Sequence, residues 1–89
     1  MFKLNNSRER TVHRLKIARG HLEKVLKMVE EQEYCIDILH QSQAVQKALF
    51  EIDSLILENH LTTCATNKIK EGKGEEAIAE IMEVFRKNK

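Results

Sequence analysis

Proline is missing from all 89 residues, and glycine occurs only at Gly20, Gly72 and Gly74. These two residue types are the main punctuation of a chain, so their scarcity excludes a loop-rich fold and favours long helices. Strand-like alternation, internal repeats and low-complexity stretches are absent as well. No apolar run approaches the roughly 18 residues of a membrane span. Neither a signal peptide nor a lipidation motif is present, so a soluble, cytoplasmic protein with no membrane partner is expected. A Gly-rich phosphate loop, a nucleophile elbow and an H-E-x-x-H pair are all missing, and no enzyme is expected. Cysteine is limited to Cys35 and Cys64. In a reducing compartment, free thiols point to metal or redox chemistry more than to structure.

What is present is charge, unevenly spread. Residues 1–28 carry eight Lys or Arg against two Glu, whereas residues 29–89 carry seven against twelve Asp or Glu. The net charge of +1 hides this asymmetry. A basic N-terminal segment on an acidic body suits a polyanion-facing surface, although a solvated helix face has the same composition. A chain of this length forms one small domain, here residues 1–89, and buries limited surface unless a metal or an oligomer helps.

Apolar periodicity predicts three helices. The first runs from about 7 to 32, with Ser7 as N-cap and Val12, Leu15, Ala18, Leu22, Val25, Leu26 and Val29 at 3–4 spacing. Gly20 inside it suggests close helix packing. The second runs from 33 to 67, with one stripe through Ile38, Val45, Leu49, Ile52 and Ile56 and another through Leu39, Ala48 and Leu55. A helix of that length reaches roughly 50 Å, more than a three-helix monomer can cover, so self-association is expected. The third runs from 75 to 87, with Ala77, Ile78, Ile81, Met82 and Phe85 on one face. The expected fold is all-α: helices 1 and 2 pair as an antiparallel hairpin, and two hairpins form a four-helix-bundle dimer.

Chemistry concentrates at Cys35, His60 and Cys64. His60 and Cys64 stand at i and i+4 and share a face. Cys35 lies roughly 37 Å away on the same helix, too far for one ion to reach. A site that uses all three takes Cys35 from a second, antiparallel copy. Two thiolates and an imidazole form a soft donor set that favours Cu(I), with zinc as the other candidate occupant. His13, His21 and His40 are weaker candidates. A Cys–His nucleophile at His60/Cys64 is geometrically allowed but leaves little room for substrate inside a bundle.

The blocks Tyr34-Cys35-Ile36-Asp37-Ile38-Leu39, Gln43-Ala44-Val45-Gln46-Lys47-Ala48-Leu49 and Glu58-Asn59-His60-Leu61, with Arg14-Leu15-Lys16 before them, resemble the copper-sensitive operon repressor family. The resemblance runs from about residue 10 to 64 and into the start of the third helix. It implies an all-α repressor, a dimer of dimers, that holds double-stranded operator DNA when metal-free and releases it on binding its effector. It implies Cu(I) ligation by Cys35 of one protomer and His60 and Cys64 of the other, with Tyr34 and Glu80 around the ligating His. The family's nickel and cobalt members add a His near the N-terminus, where this chain has Lys3. Its persulfide sensors carry Cys at the place of His60, and its formaldehyde sensors lack the Cys at the place of Cys64. Arg14 and Lys16 carry over as DNA contacts; Arg10, Arg19 and Lys47 are added on charge alone. Arg19, His21 and Glu23 depart from the family's usual Glu, Gln and Arg, reversing two charges on the helix expected to face DNA. The remaining alternatives are a sensor of another soft metal or thiol-reactive signal, and a helical metal-binding scaffold without DNA binding.

Overall fold

The computed structural model describes residues 2–87, with side chains from residue 7 onward, so the side chain of Lys3 lies outside it. The described residues are helical throughout apart from two short turns, and no strand occurs among them. Two compact units divide the chain, one ending at Ile56 and the other beginning at Leu57.

The first unit is built from α1 (Phe2–Glu30) and the greater part of α2 (Cys35–His60). Ser7 is not the cap expected for α1: it lies inside the helix, and its carbonyl accepts a 2.9 Å bond from Thr11 Oγ1. Nothing before Ser7 breaks a helix, since the segment contains neither Gly nor Pro. α1 ends in a Schellman motif: Glu33 N donates to Met28 O and Gln32 N to Val29 O, both at 3.0 Å. Gln32 holds the left-handed position at φ 56°, where glycine is usual.

The antiparallel pairing of these helices is pinned by His21 Nε2, whose N–H donates to Gln41 Oε1 at 2.7 Å. Ala18, Val25 and Met28 of α1 and Val45 and Ile52 of α2 are buried. The rest of the expected stripe on α1 is not. Val12, Leu15, Leu22, Leu26 and Val29 remain 42–57 % exposed, because one partner helix covers only part of a wide apolar arc. Leu39, Leu49 and Ile56 of α2 are likewise open. Gly20 does not mark close packing within the chain, since a Cβ added there would meet nothing within 4 Å.

In the second unit the backbone leaves α2 through a π-helical turn, Leu61–Ala65, and continues as α3 (Thr66–Lys70). His60 and Thr66 both keep right-handed helical angles, so α2, the π turn and α3 are one uninterrupted helix and the described residues form three helices in effect. A second Schellman motif closes α3: Lys73 N donates to Lys68 O at 2.7 Å and Gly72 N to Ile69 O at 3.0 Å. Gly72, at φ 83°, supplies the left-handed residue. α4 (Gly74–Lys87) opens with Glu75 and Glu76 and closes with Arg86 and Lys87, matching the helix dipole at both ends. It packs on α3 and the π turn, burying Ala65 and Ala77. Ile78, Met82 and Phe85, also on its expected apolar face, stay exposed.

Candidate metal centre

Cys35 is the first residue of α2, and Tyr34 precedes it in the turn, where its carbonyl accepts the Ile38 N–H at 3.1 Å. Tyr34 is 67 % exposed. Both cysteines are free thiols and both are exposed.

His60 ends α2 and is half-buried, and Cys64 lies within the π turn that follows. Threonine explains the turn. β-branched hydroxyl residues bond back to carbonyls of the preceding turn and loosen the regular helical ladder. Here Thr62 Oγ1 lies 3.2 Å from Glu58 O and 3.1 Å from Asn59 O, and Thr63 Oγ1 bonds Asn59 O at 2.7 Å. Thr66 Oγ1 reaches five residues back to Leu61 O at 2.6 Å, the spacing of a π turn. In an α-helix residue i+4 sits about 40° beyond residue i. Where bonding runs i to i+5, four residues fall short of a full turn instead. The two ligand candidates share a face on either count.

Glu80, on α4, is held by Lys68 of α3. Lys68 Nζ lies 2.7 Å from Glu80 Oε1 and 3.3 Å from Glu76 Oε1. The hydrogen bond from Lys68, then its charge, then more weakly the charge of His60, hold the Glu80 carboxyl below the usual carboxylate range. The same hydrogen bond raises the Lys68 ammonium above its ordinary value. The partners of Lys68 lie 8 and 12 residues away across a turn. Helical periodicity carries no signal for such a pair, which is why the sequence alone does not single out Lys68.

The second unit thus gathers His60, Cys64 and Glu80, and the first holds Tyr34 and Cys35. Among the described residues of one chain, no three His, Cys, Asp or Glu side chains form a group able to hold a metal. The donor set itself suits a soft ion: two unoxidised thiols and an imidazole, none engaged in an ion pair among the described residues.

The candidate DNA contacts Arg10, Arg14, Lys16 and Arg19 are all exposed on α1, as is Lys47 on α2, and none forms an ion pair among the described residues. Arg10 and Arg14, at i and i+4, share one face. Lys16 and Arg19 lie roughly 120–180° round the helix from them. His21 is engaged with Gln41, while His13 and His40 are exposed.

Comparison with known proteins gives a consistent answer. Residues 7–87 match the family model described as metal-sensitive transcriptional repressor. The copper-sensing transcriptional repressor CsoR of Bacillus subtilis (strain 168) is 39 % identical over 85 residues, covering 96 % of this chain and 84 % of the relative. The crystal structure of the copper-sensing repressor CsoR with Cu(I) from Geobacillus thermodenitrificans NG80-2 superposes with a TM-score of 0.82 at 42 % identity, covering 89 % of this chain and 82 % of the other. The nickel-responsive transcriptional regulator InrS aligns with a TM-score of 0.72 at 35 % identity, covering 89 % of each chain.

Proposed function

Because this chain belongs to the metal-sensitive transcriptional repressor family, whose members are regulators and not enzymes, we propose that it is a Cu(I)-responsive repressor that leaves its operator when Cu(I) binds between subunits. The observation that carries the choice of metal is the TM-score of 0.82, at 42 % identity, to a repressor solved with Cu(I). The nickel-responsive relative is less similar on both measures.

Cys35 of one protomer and His60 and Cys64 of its partner would hold the ion in a dimer. Bound there, Cu(I) would supply a soft Lewis-acid centre suited to two thiolates and an imidazole. The chain's own residues do the rest. A His that gives one ring nitrogen to a metal presents the other to a neighbouring acceptor, which fixes tautomer and ring orientation. Glu80, on α4, is the carboxylate that would accept that second N–H. Tyr34 stands beside Cys35 with its ring uncovered and available to the same cluster. Engagement of Glu80 by His60 therefore links the metal site to α4, which packs on the π turn carrying Cys64. Metal binding and DNA release are two sides of one reciprocal free energy.

Arg10, Arg14, Lys16, Arg19 and Lys47 serve as phosphate contacts. Because the four on α1 occupy two faces, a continuous basic surface takes residues from more than one copy, which the dimer of dimers provides. An anaerobic Cu(I) titration against a chromophoric chelator tests the site. One tight ion per protomer, abolished in Cys35→Ala, His60→Ala and Cys64→Ala, is the expected result. Tight binding that survives Cys35→Ala would sink the inter-subunit site, and Ni(II) binding tighter than nickel's usual place behind copper would shift the assignment to nickel. Fluorescence anisotropy with duplex operator DNA then reads release on Cu(I) addition.

A further inference from the structure

Lys68 is the one basic side chain among the described residues that bridges two carboxylates, Glu76 and Glu80, a full turn apart on the facing helix. The shorter of its two contacts, 2.7 Å, goes to Glu80. Lys68 lies four residues beyond Cys64 and eight beyond His60 along the same helix, and α4 packs on the π turn between His60 and Lys68. Glu80 is thus shared ground. A carboxylate oxygen committed to an ammonium is a poorer acceptor for an imidazole N–H, and the 2.7 Å contact holds the Glu80 carboxyl toward α3, so the two contacts oppose each other.

We propose that Lys68 is a positioning residue that competes with His60 for the Glu80 carboxylate and thereby sets the affinity of the metal site. The inference rests on the reading of His60 as a Cu(I) ligand. In the metal-free chain Lys68 keeps Glu80 engaged on α3, and the imidazole samples both tautomers. When His60 commits one nitrogen to the site, its other N–H must draw the Glu80 carboxyl away from the position in which Lys68 holds it. Lys68 thereby raises the metal concentration at which the repressor responds. Glu76 is the fallback acceptor for the displaced ammonium, which keeps the exchange from stranding a charge.

A double-mutant cycle on Cu(I) affinity tests this, using wild type, Lys68→Met, Glu80→Gln and the double variant, with Lys68→Arg as the charge-conserving control. Lys68→Met is expected to tighten Cu(I) binding about two- to five-fold, the range an exposed ion pair supports. Glu80→Gln should weaken binding, Lys68→Arg should match wild type, and Lys68→Met should have no effect in the Glu80→Gln background. An equal gain in both backgrounds would mean that Lys68 acts only as a nearby positive charge, and would overturn the proposal. Weaker binding in Lys68→Met would reduce Lys68 to a structural brace and overturn it as well. A metal-free readout stands beside these. Long-range ¹H–¹⁵N NMR of the His60 ring should show one dominant tautomer in Lys68→Met and a mixture in wild type; identical spectra would count against the competition. Should wild type bind no Cu(I), the copper assignment falls by itself, and the NMR comparison alone decides whether Lys68 withholds Glu80 from His60.

Discussion

The Lys68–Glu80 contact exists only while one partner is cationic and the other anionic, so pH should dissect it. Glu80 is held below its ordinary value of 4.5, chiefly by the Lys68 hydrogen bond, so its contribution is present above that value and is lost as pH falls through the lowered one. Lys68 is raised above 10.5 by the same bond, so its contribution is present below that value and is lost only at still higher pH. Between these limits the link is intact. Urea unfolding at pH 7 and pH 3.5 should show a larger acid loss in wild type than in Lys68→Met; equal losses would mean that the pair adds nothing to folding. At this scale the sequence is legible where spacing encodes contact. The four-residue separation of His60 and Cys64 puts them on one face of the helix. Lys68 does not announce Glu80, because the turn at Gly72 brings them together and no pattern within one helix records it.

Helix ends show the same contrast. Gly72 reads as a stop from sequence, and at φ 83° it is one; Gly72→Ala should cost about 1 kcal/mol, since a Cβ in the left-handed region is strained. The end of α1 carries no such marker. Gln32 performs glycine's task at φ 56°, so Gln32→Gly should stabilise the chain by up to about 1 kcal/mol. Gly20, exposed and facing open space, gives the opposite substitution: Gly20→Ala should add about 1 kcal/mol through helix propensity. Urea midpoints check all three. The π turn leaves no trace in apolar periodicity, because its cause is polar. Thr66 Oγ1 bonding Leu61 O at 2.6 Å is a side-chain event laid over a helical pattern. Thr66→Ala should let the segment relax toward α-helical register, weakening Cu(I) binding while leaving far-UV circular dichroism nearly unchanged.

For the molecule as a whole, the all-α class follows from the missing chain breakers, while the extent of the core does not. Periodicity marks which residues are apolar together but not whether their cover comes from the same chain. Leu22 and Leu26 sit on the predicted stripe and are 55 % and 57 % exposed, so another copy is the natural cover. Leu26→Lys should leave the helical signal in place but shift light-scattering mass toward the monomer. On the DNA side, Arg14→Ala should weaken binding similarly across sequences and lower the slope of log K against log salt by about 1 for each phosphate no longer neutralised.

Three of the seven buried apolar residues among those described, Ala18, Ala65 and Ala77, are alanines, which carry little side chain to withdraw from water. A protomer so lightly anchored would, in the proposed dimer of dimers, owe much of its stability to mass action. Its melting temperature should climb with protein concentration, and dilution should unfold it. The number of chains a cell makes would then set how many are folded at all, so that on the proposed reading dosage would act beside the metal.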